Sequence, residues 1–185
     1  MKLHSNDRCS EQDYRDLFST AAEELRWLCH TLTGDDSLGD KAMEAAMEQS
    51  LKGANRVFRE WMLSWARRLI IRFCIGAVRP TAHNRGQNNP FATAQLKPVK
   101  SEEVDEILSL SAERLQKKML GLEALPRFVF ALRAIEEYSR HDTALLLDID
   151  DRACEAAYVQ AIEALSLNTY SLQSVGNGAM KLVVV

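Results

Sequence analysis

Apolar side chains recur every three or four residues along most of the chain, which is the period of an amphipathic helix. The first stretch predicts a helix over residues 11–32 that begins after Ser10, a suitable N-cap, and ends before Gly34. A second helix is predicted to begin after Ser37 and to end near Leu51. The apolar stripe of the first helix consists of Tyr14, Leu17, Phe18, Ala21, Leu25, Leu28 and Leu32.

The third predicted helix, residues 56–76, combines an aromatic, apolar face with a basic remainder. The apolar face consists of Phe58, Trp61, Met62, Trp65, Leu69 and Phe73. The arginines from residue 56 to residue 79 are Arg56, Arg59, Arg67, Arg68, Arg72 and Arg79. Residues 56–79 therefore hold six arginines and one acidic residue, Glu60, so the formal charge of this segment is +5.

Residues 80–100 show no apolar periodicity and hold three of the four prolines. This composition is typical of a flexible linker, and a structureless stretch of this length is unusual inside one compact domain. The sequence therefore predicts two small helical bundles, residues 1–79 and 101–168, and a tail over residues 169–185. The tail ends in KLVVV and is expected either to be disordered or to pair as a short strand.

The second bundle is predicted to consist of short helices joined by tight connections. Ser101 caps a short first helix that contains Val104, Ile107 and Leu108. Pro126 suits the first turn of a later helix. The remaining helices are predicted over residues 112–120, 127–138, 140–147 and 151–165, with Ser139 as an N-cap and residues 148–150 as a tight connection.

The composition fits an all-α globular protein. Hydrophobic residues make up 46% of the 185 residues, and the scarcity of Gly (8) and Pro (4) argues against collagen-like, low-complexity and turn-dense β folds. The net charge of -3 excludes a uniformly basic nucleic-acid binder but not a local basic face. Because no apolar run approaches the roughly 18 residues of a membrane span and the N-terminus is polar, we expect a cytoplasmic protein with no membrane partner.

The sequence contains no catalytic or metal-binding motif. Nucleophile, phosphate-loop, dinucleotide and zinc-protease signatures are absent, and no two cysteines have zinc-ligand spacing. We therefore predict neither an enzyme nor a metal or cofactor site, and we expect reduced cysteines. The scattered residues are Cys9, Cys29, Cys74 and Cys154, and His4, His30, His83 and His141.

Two parts of the chain resemble bacterial sigma factors of the extracytoplasmic-function type. Residues 32–35 (LTGD) and 58–69 (FREWMLSWARRL) resemble motifs of sigma domain two. Residues 125–133 (LPRFVFALR) resemble the entry to domain four, although a spacer after the proline is missing. Residues 142–165 resemble its helix-turn-helix without a gap. The resemblance covers residues 11–79 and 111–165.

This resemblance implies a transcription protein with core RNA polymerase and promoter DNA as partners. The helix-turn-helix would use Ala144, Leu147, Ile149, Cys154, Glu155 and Gln160. The polymerase-docking residues would be Asp36, Asp40, Glu44 and Glu48, although the family's residue order is broken there. Nucleic acid would be bound mainly by the first domain, through Arg59, Arg67, Arg68, Arg72, Arg79, Trp61 and Trp65.

The predicted recognition helix departs from the family in its charge. Residues 138–165 hold six acidic residues and two arginines, a formal charge of -4 that repels a duplex within about one Debye length, 8–10 Å. Glu155, Ala156 and Ala157 stand where the family usually has basic or polar residues on an exposed face. Asp148 replaces the turn glycine of the family. The helix-turn-helix fold is therefore expected, while its contact with DNA stays open.

Two functional hypotheses follow. In the first, the protein is a divergent sigma factor that binds core polymerase and directs initiation, with Trp61 and Trp65 near unpaired bases. In the second, it is a sigma mimic that binds an anti-sigma factor or polymerase without reading DNA. The alternative for the two tryptophans is burial in the core, and the alternative for Arg67, Arg68 and Arg72 is a solvated helix face.

Overall fold

The computed structural model describes residues 8–79 and 98–176, with side chains described as far as residue 166. All regular secondary structure in these ranges is helical, so the predicted all-α class is confirmed. The backbone groups into two compact units, residues 1–81 and 82–185. Most of the predicted linker lies outside the described residues. None of the described helices is both long enough and apolar enough to cross a membrane.

The first unit is a bundle in which α3 packs against both α2 and α4, and α2 also packs against α4. Its elements are α1 (Glu11–Thr20), α2 (Ala22–Thr33), α3 (Asp36–Lys52), a 3-10 turn (Arg59–Trp61) and α4 (Met62–Val78). Its largest fully buried side chains are Tyr14, Leu25, Leu28, Leu32, Ile70 and Ile71. Burial of each contributes roughly 1.5–3 kcal/mol, which makes this core the main source of stability.

Capping residues fix the start of α1, the end of α2 and the start of α3. Ser10 and Asp13 form a complete capping box: the Asp13 N–H donates to Ser10 Oγ, and the Ser10 N–H donates to Asp13 Oδ2. Gly34 ends α2 in the left-handed conformation, with φ 69°. Asp35 then accepts the Leu38 N–H at 2.8 Å and caps α3. The predicted N-cap at Ser10 and helix end at Gly34 are confirmed.

The single helix predicted over residues 11–32 is wrong, because the chain bends at Ala21 (φ -98°, ψ 15°). The hydroxyl of Thr20 donates to the carbonyls of Asp16 and Leu17 at 2.8 and 3.2 Å. Such back-bonding by a threonine competes with the helix ladder and bends helices. The ladder resumes at once, since the Leu25 N–H donates to the Ala21 carbonyl at 2.9 Å.

The start of the third predicted helix is also wrong, because α4 begins at residue 62 rather than 56. The Cys9 N–H donates to the Val57 carbonyl at 3.0 Å, and the Asn55 N–H donates to the Cys9 carbonyl at 2.7 Å. An isolated antiparallel bridge joins Arg8 to Phe58. Asn55 is left-handed, with φ 63°. This pairing with the N-terminal segment holds residues 55–58 out of the helix.

Gly39 allows α3 to approach α2 closely. A Cβ at this position would overlap Cδ2 of His30 and lie 3.2 Å from the His30 backbone nitrogen. The His30 ring has little freedom to move aside, because Nδ1 pairs with Asp36 at 3.1 Å and Nε2 pairs with Asp40 at 3.2 Å. The absence of a side chain at residue 39 is therefore a packing requirement.

Substitution Gly39→Ala is expected to lower the free energy of unfolding by about 1–2 kcal/mol. Overpacking costs about 1–3 kcal/mol, and the better helix propensity of alanine offsets roughly 0.5–1 kcal/mol of it. Urea unfolding of the full chain measures the change, with the exposed Gly76→Ala as the matched control, since nothing lies within 4 Å of a Cβ there. A Gly39→Ala variant as stable as wild type would contradict the close contact.

The second unit is arranged around its last helix, which packs against the four other α-helices of this unit. Its elements are α5 (Ser101–Leu108), α6 (Ala112–Leu120), α7 (Ala124–Phe130), a π turn (Ala131–Ile135), α8 (Arg140–Leu147) and α9 (Asp151–Gly176). The fully buried side chains include Ile107, Met119, Phe128, Phe130, Leu132 and Leu165. They come from α5, α6, α7, α9 and the π turn, so one core joins these elements.

Two boundaries in the second unit differ from the sequence prediction. The helix predicted over residues 127–138 begins at Ala124, widens into the π turn and ends at Ile135. Glu137, with φ 57°, and the bond from the Tyr138 N–H to the Leu132 carbonyl prevent its continuation. The helix predicted to end at residue 165 continues to residue 176, so the predicted tail begins as helix. The final residues, 177–185, lie outside the described residues.

Candidate nucleic-acid interface

Four exposed side chains form a stripe along one side of α4 and the turn before it. Trp61, Trp65, Arg68 and Arg72 are spaced four, three and four residues apart, which places them on one side of a helix. The opposite side of α4 presents Ala66, Ile70 and Cys74 to the core, all fully buried. We call Trp61, Trp65, Arg68 and Arg72 the Trp/Arg stripe.

The interpretation of both tryptophans as core residues is wrong. Trp61 is 59% exposed and Trp65 is 37% exposed. Periodicity alone places them beside Leu69, but small and aliphatic residues at 66, 70, 71 and 74 form the buried side instead. The bulky indoles are thereby turned towards solvent. Exposed tryptophans beside arginines are available to stack on a planar ligand.

An aromatic cluster adjoins the stripe at its N-terminal end. Phe58 meets Trp61 edge to face, with ring centroids 5.6 Å apart and an interplanar angle of 81°. The Arg8 guanidinium lies 5.9 Å from the Phe58 ring centroid and donates to the Asn55 carbonyl at 3.0 Å. Sequence analysis placed Phe58 on an apolar helix face and did not connect it with Arg8, because no local pattern links two residues that are 50 positions apart.

The predicted phosphate-binding arginines fall into two groups. Arg59 pairs with Asp13 at 3.0 Å, and Arg67 pairs with Glu24, so both have intramolecular partners. Arg68 and Arg72 are exposed, and within residues 8–79 and 98–176 neither has an ion-pair partner. These two are therefore the better placed for a phosphate, and the remaining predicted arginine, Arg79, is exposed at the end of α4.

The Asp13 carboxylate is held in its charged form. Hydrogen bonds from the Ser10 N–H and hydroxyl, and the nearby Arg59 guanidinium, lower the pKa of Asp13. A charged Asp13 keeps its ion pair with Arg59 at neutral pH, although the Arg59 side chain is 60% exposed.

The predicted polymerase-docking residues lie on one side of α3 at four-residue spacing. All four are exposed, and three have partners: Asp36 and Asp40 hold His30, and Glu48 pairs with Lys52 at 2.7 Å. The Lys52 ammonium lowers the pKa of Glu48. The remaining residue of the set is Glu44. Arg26 also pairs with Asp40 at 3.6 Å, so cationic or histidine side chains accompany three of the four carboxylates.

The predicted helix-turn-helix residues lie in α8, α9 and the three-residue connection between them. Asp148 adopts the left-handed conformation (φ 55°, ψ 46°) that the family gives to glycine, and the Ile149 N–H donates to the Ala144 carbonyl at 3.0 Å. Ala144, Leu147 and Cys154 are buried between the two helices and their neighbours. These residues therefore have packing roles.

The predicted recognition surface is largely buried in this unit. Ala156 and Ala157 are within the core, because α9 is the central helix rather than a peripheral one. Glu155 accepts a 2.8 Å hydrogen bond from Arg133 Nη1, and the two side chains are 28% and 20% exposed. Of the predicted reading residues, Gln160 is exposed. The expectation that Glu155, Ala156 and Ala157 form an exposed face is wrong.

Arg133 and Tyr158 form a second site that sequence analysis did not select. The Arg133 guanidinium lies 3.9 Å from the centroid of the Tyr158 ring, and burial raises the pKa of Tyr158. Both line an open groove of about 470 Å³, together with Val99, Val104 and other residues. A π turn carries Arg133, and no sequence signal distinguishes such a turn from an α-helix.

The described residues contain no group of three or more metal-ligating side chains. All four cysteines are buried and free of disulfides. No protein-family model, curated protein or solved structure matches the chain.

Proposed function

We propose that the protein is a divergent, sigma-factor-like transcription protein whose first unit binds unpaired promoter DNA and core RNA polymerase. The observation that carries this proposal is the Trp/Arg stripe, where two exposed indoles lie beside two exposed arginines that have no ion-pair partner among the side chains of residues 8–79 and 98–166. The sequence resemblance of residues 32–35 and 58–69 to sigma domain two supports the same assignment.

The stripe has the chemistry of a single-strand platform. Indole rings stack on bases of any sequence, and arginines neutralise the phosphates between them. The stripe is about 16 Å long from Trp61 to Arg72, because an α-helix rises 1.5 Å per residue. This length is enough to contact a short run of nucleotides. The acidic side of α3 is the proposed contact with polymerase.

A second candidate function is favoured by the charge and packing of the second unit. Its α8–α9 surface is acidic, Glu155 is paired with Arg133, and Ala156 and Ala157 are buried. In this alternative the protein mimics a sigma factor and binds an anti-sigma factor, or binds polymerase without reading a promoter. It differs from the first proposal in requiring no nucleic acid at the Trp/Arg stripe.

The test uses the full chain with core polymerase and with a melted promoter fork. We expect Arg68→Ala/Arg72→Ala to bind the fork more weakly and to reduce the slope of log affinity against log salt by about 1.4, or 0.7 for each lost phosphate contact. The control, Arg15→Ala/Lys41→Ala, removes two exposed charges from other helices of the first unit and is expected to keep the wild-type slope.

Two results would reject the first proposal. If the wild-type protein binds neither core polymerase nor the fork, it does not act as a sigma factor. Equal salt slopes for the stripe variant and the control would remove the stripe from the interface. Capture of a purified anti-sigma protein by a chain that binds no fork would instead support the mimic.

A further inference from the structure

The N-terminal segment contributes one basic side chain to the aromatic cluster beside the Trp/Arg stripe. Arg8 is exposed, and its Nη1 donates to the Asn55 carbonyl at 3.0 Å. Its guanidinium lies 5.9 Å from the centroid of the Phe58 ring, near the outer limit of a cation–π contact. Its partners in the described part of the chain, a carbonyl and a ring, are both uncharged. Because a guanidinium has five N–H donors, further donors remain for an anionic ligand.

Backbone pairing fixes the position of Arg8 relative to the start of α4. An isolated antiparallel bridge joins Arg8 to Phe58. The next residue, Cys9, is fully buried, donates its N–H to the Val57 carbonyl at 3.0 Å and accepts the Asn55 N–H at 2.7 Å. Arg8 therefore loses little backbone freedom when it binds a ligand, which favours a contact at this position over one on a free chain end.

The guanidinium of Arg8 lies close to the indole of Trp61. The Phe58 ring centroid is 5.9 Å from the guanidinium and 5.6 Å from the Trp61 ring centroid, so the guanidinium lies no farther from Trp61 than these two distances together. Consecutive phosphates of one strand are about 3.4 Å apart along the axis of a duplex. A strand with a base stacked on Trp61 therefore has phosphates within reach of Arg8.

We propose that Arg8 is a further phosphate-binding residue of the Trp/Arg stripe, at the end opposite Arg68 and Arg72. The ligand is then an internal stretch of a single strand, rather than a free nucleotide or a strand terminus. Its phosphates are bound on both sides of the bases that stack on Trp61 and Trp65. Arg8 has this role only if the stripe binds nucleic acid, so the proposal rests on the proposed function of the first unit.

A purely structural role for Arg8 has a different signature. If Arg8 only held Phe58 against Trp61, its loss would weaken stacking by the same factor at every salt concentration. A phosphate contact releases counterions from the nucleic acid, so its loss weakens binding more at low salt than at high salt. The salt dependence of binding therefore distinguishes the two roles, even where both reduce affinity.

The test measures binding of the full chain to a melted promoter fork at about 50 to 200 mM salt. Arg8→Gln keeps an amide donor for the Asn55 carbonyl and removes the charge. We expect it to reduce the slope of log affinity against log salt by about 0.7, so that the advantage of wild type is about 2.6-fold larger at the low salt concentration than at the high one. Arg8→Lys keeps a cation and should keep the wild-type slope. The matched control, Arg15→Ala, removes an exposed arginine of α1 and should keep that slope as well.

The outcomes separate this proposal from the proposed function. A wild-type slope in Arg8→Gln would overturn the role of Arg8 and leave the proposed function standing, because the fork would still be bound. A slope in Arg8→Lys as shallow as that of Arg8→Gln would overturn it too, since any cation at this position should neutralise a phosphate. If wild type binds no fork, the proposed function is rejected, and the role of Arg8 is rejected with it.

Discussion

Substitution of Trp61 and Trp65 by alanine is expected to lower the affinity for a melted promoter fork at least thirtyfold. Base–aromatic stacking contributes about 1–3 kcal/mol per base, so losing two platforms removes roughly 2 kcal/mol or more. Fluorescence anisotropy with a labelled fork measures the loss. Affinity for a fully paired duplex should change much less, because paired bases are not available to stack on the exposed indoles.

The same variant should remain folded, which makes its binding defect interpretable. Trp61 is 59% exposed and Trp65 is 37% exposed, so neither belongs to the fully buried core, and we expect their loss to cost less than the roughly 3–5 kcal/mol of a core tryptophan. Leu63→Ala is the matched control, since Leu63 is exposed on the same helix and outside the stripe. An equal loss of fork affinity in this control would assign the defect to α4 as a whole.

Local chemistry is the part of this fold that the sequence predicts best. The N-caps at Ser10 and Ser139 and the left-handed end at Gly34 each depend on residues within a few positions of the helix end. The bounds of α8 and the start of α9 follow for the same reason, because Asp148 and Asp150 provide the turn and the next cap. The N-cap predicted at Ser101 is wrong, because Lys100 precedes α5 and no side chain caps that helix.

Contacts between distant residues explain two errors of the sequence prediction, the start of α4 and the choice of its buried side. Pairing of residues 8–9 with residues 55–58 delays the start of α4. The buried side of α4 then centres on Ile70 instead of on the tryptophans, and the candidate site gains its exposed rings. Periodicity could not distinguish these two sides, since both carry apolar residues at helical spacing.

The resemblance of residues 142–165 to a helix-turn-helix predicts an exposed recognition surface at residues 155–157. Here α9 packs against α5, α6, α7 and α8, and within residues 151–166 the exposed side chains are those of Arg152, Gln160 and Glu163. The sequence pattern predicts the bounds of α8 and the start of α9, while the helices packed around α9 decide which of its residues face solvent. The resemblance and the packing of α9 differ most at Glu155. The resemblance predicts a solvent-facing side chain, whereas the structure pairs Glu155 with Arg133.

Substitution Glu155→Ala is expected to lower the free energy of unfolding by about 1–3 kcal/mol. Removing one partner of a buried ion pair costs about 3–5 kcal/mol, and the partial exposure of both side chains reduces that cost. Arg133 would keep its contact with the Tyr158 ring but lose its carboxylate. Urea unfolding measures the change, with Glu163→Ala as the matched control, because Glu163 is exposed on the same helix.

A double-mutant cycle assigns the effect to the pair itself. If Arg133→Ala, Glu155→Ala and the double variant are compared, the coupling energy should exceed about 0.5 kcal/mol, as it does for residues in direct contact. A solvent-facing recognition residue would behave in the opposite way. Glu155→Ala would then leave stability unchanged and strengthen duplex binding, since it would remove a negative charge from the reading surface. That result would favour a DNA-reading second unit over an interaction module.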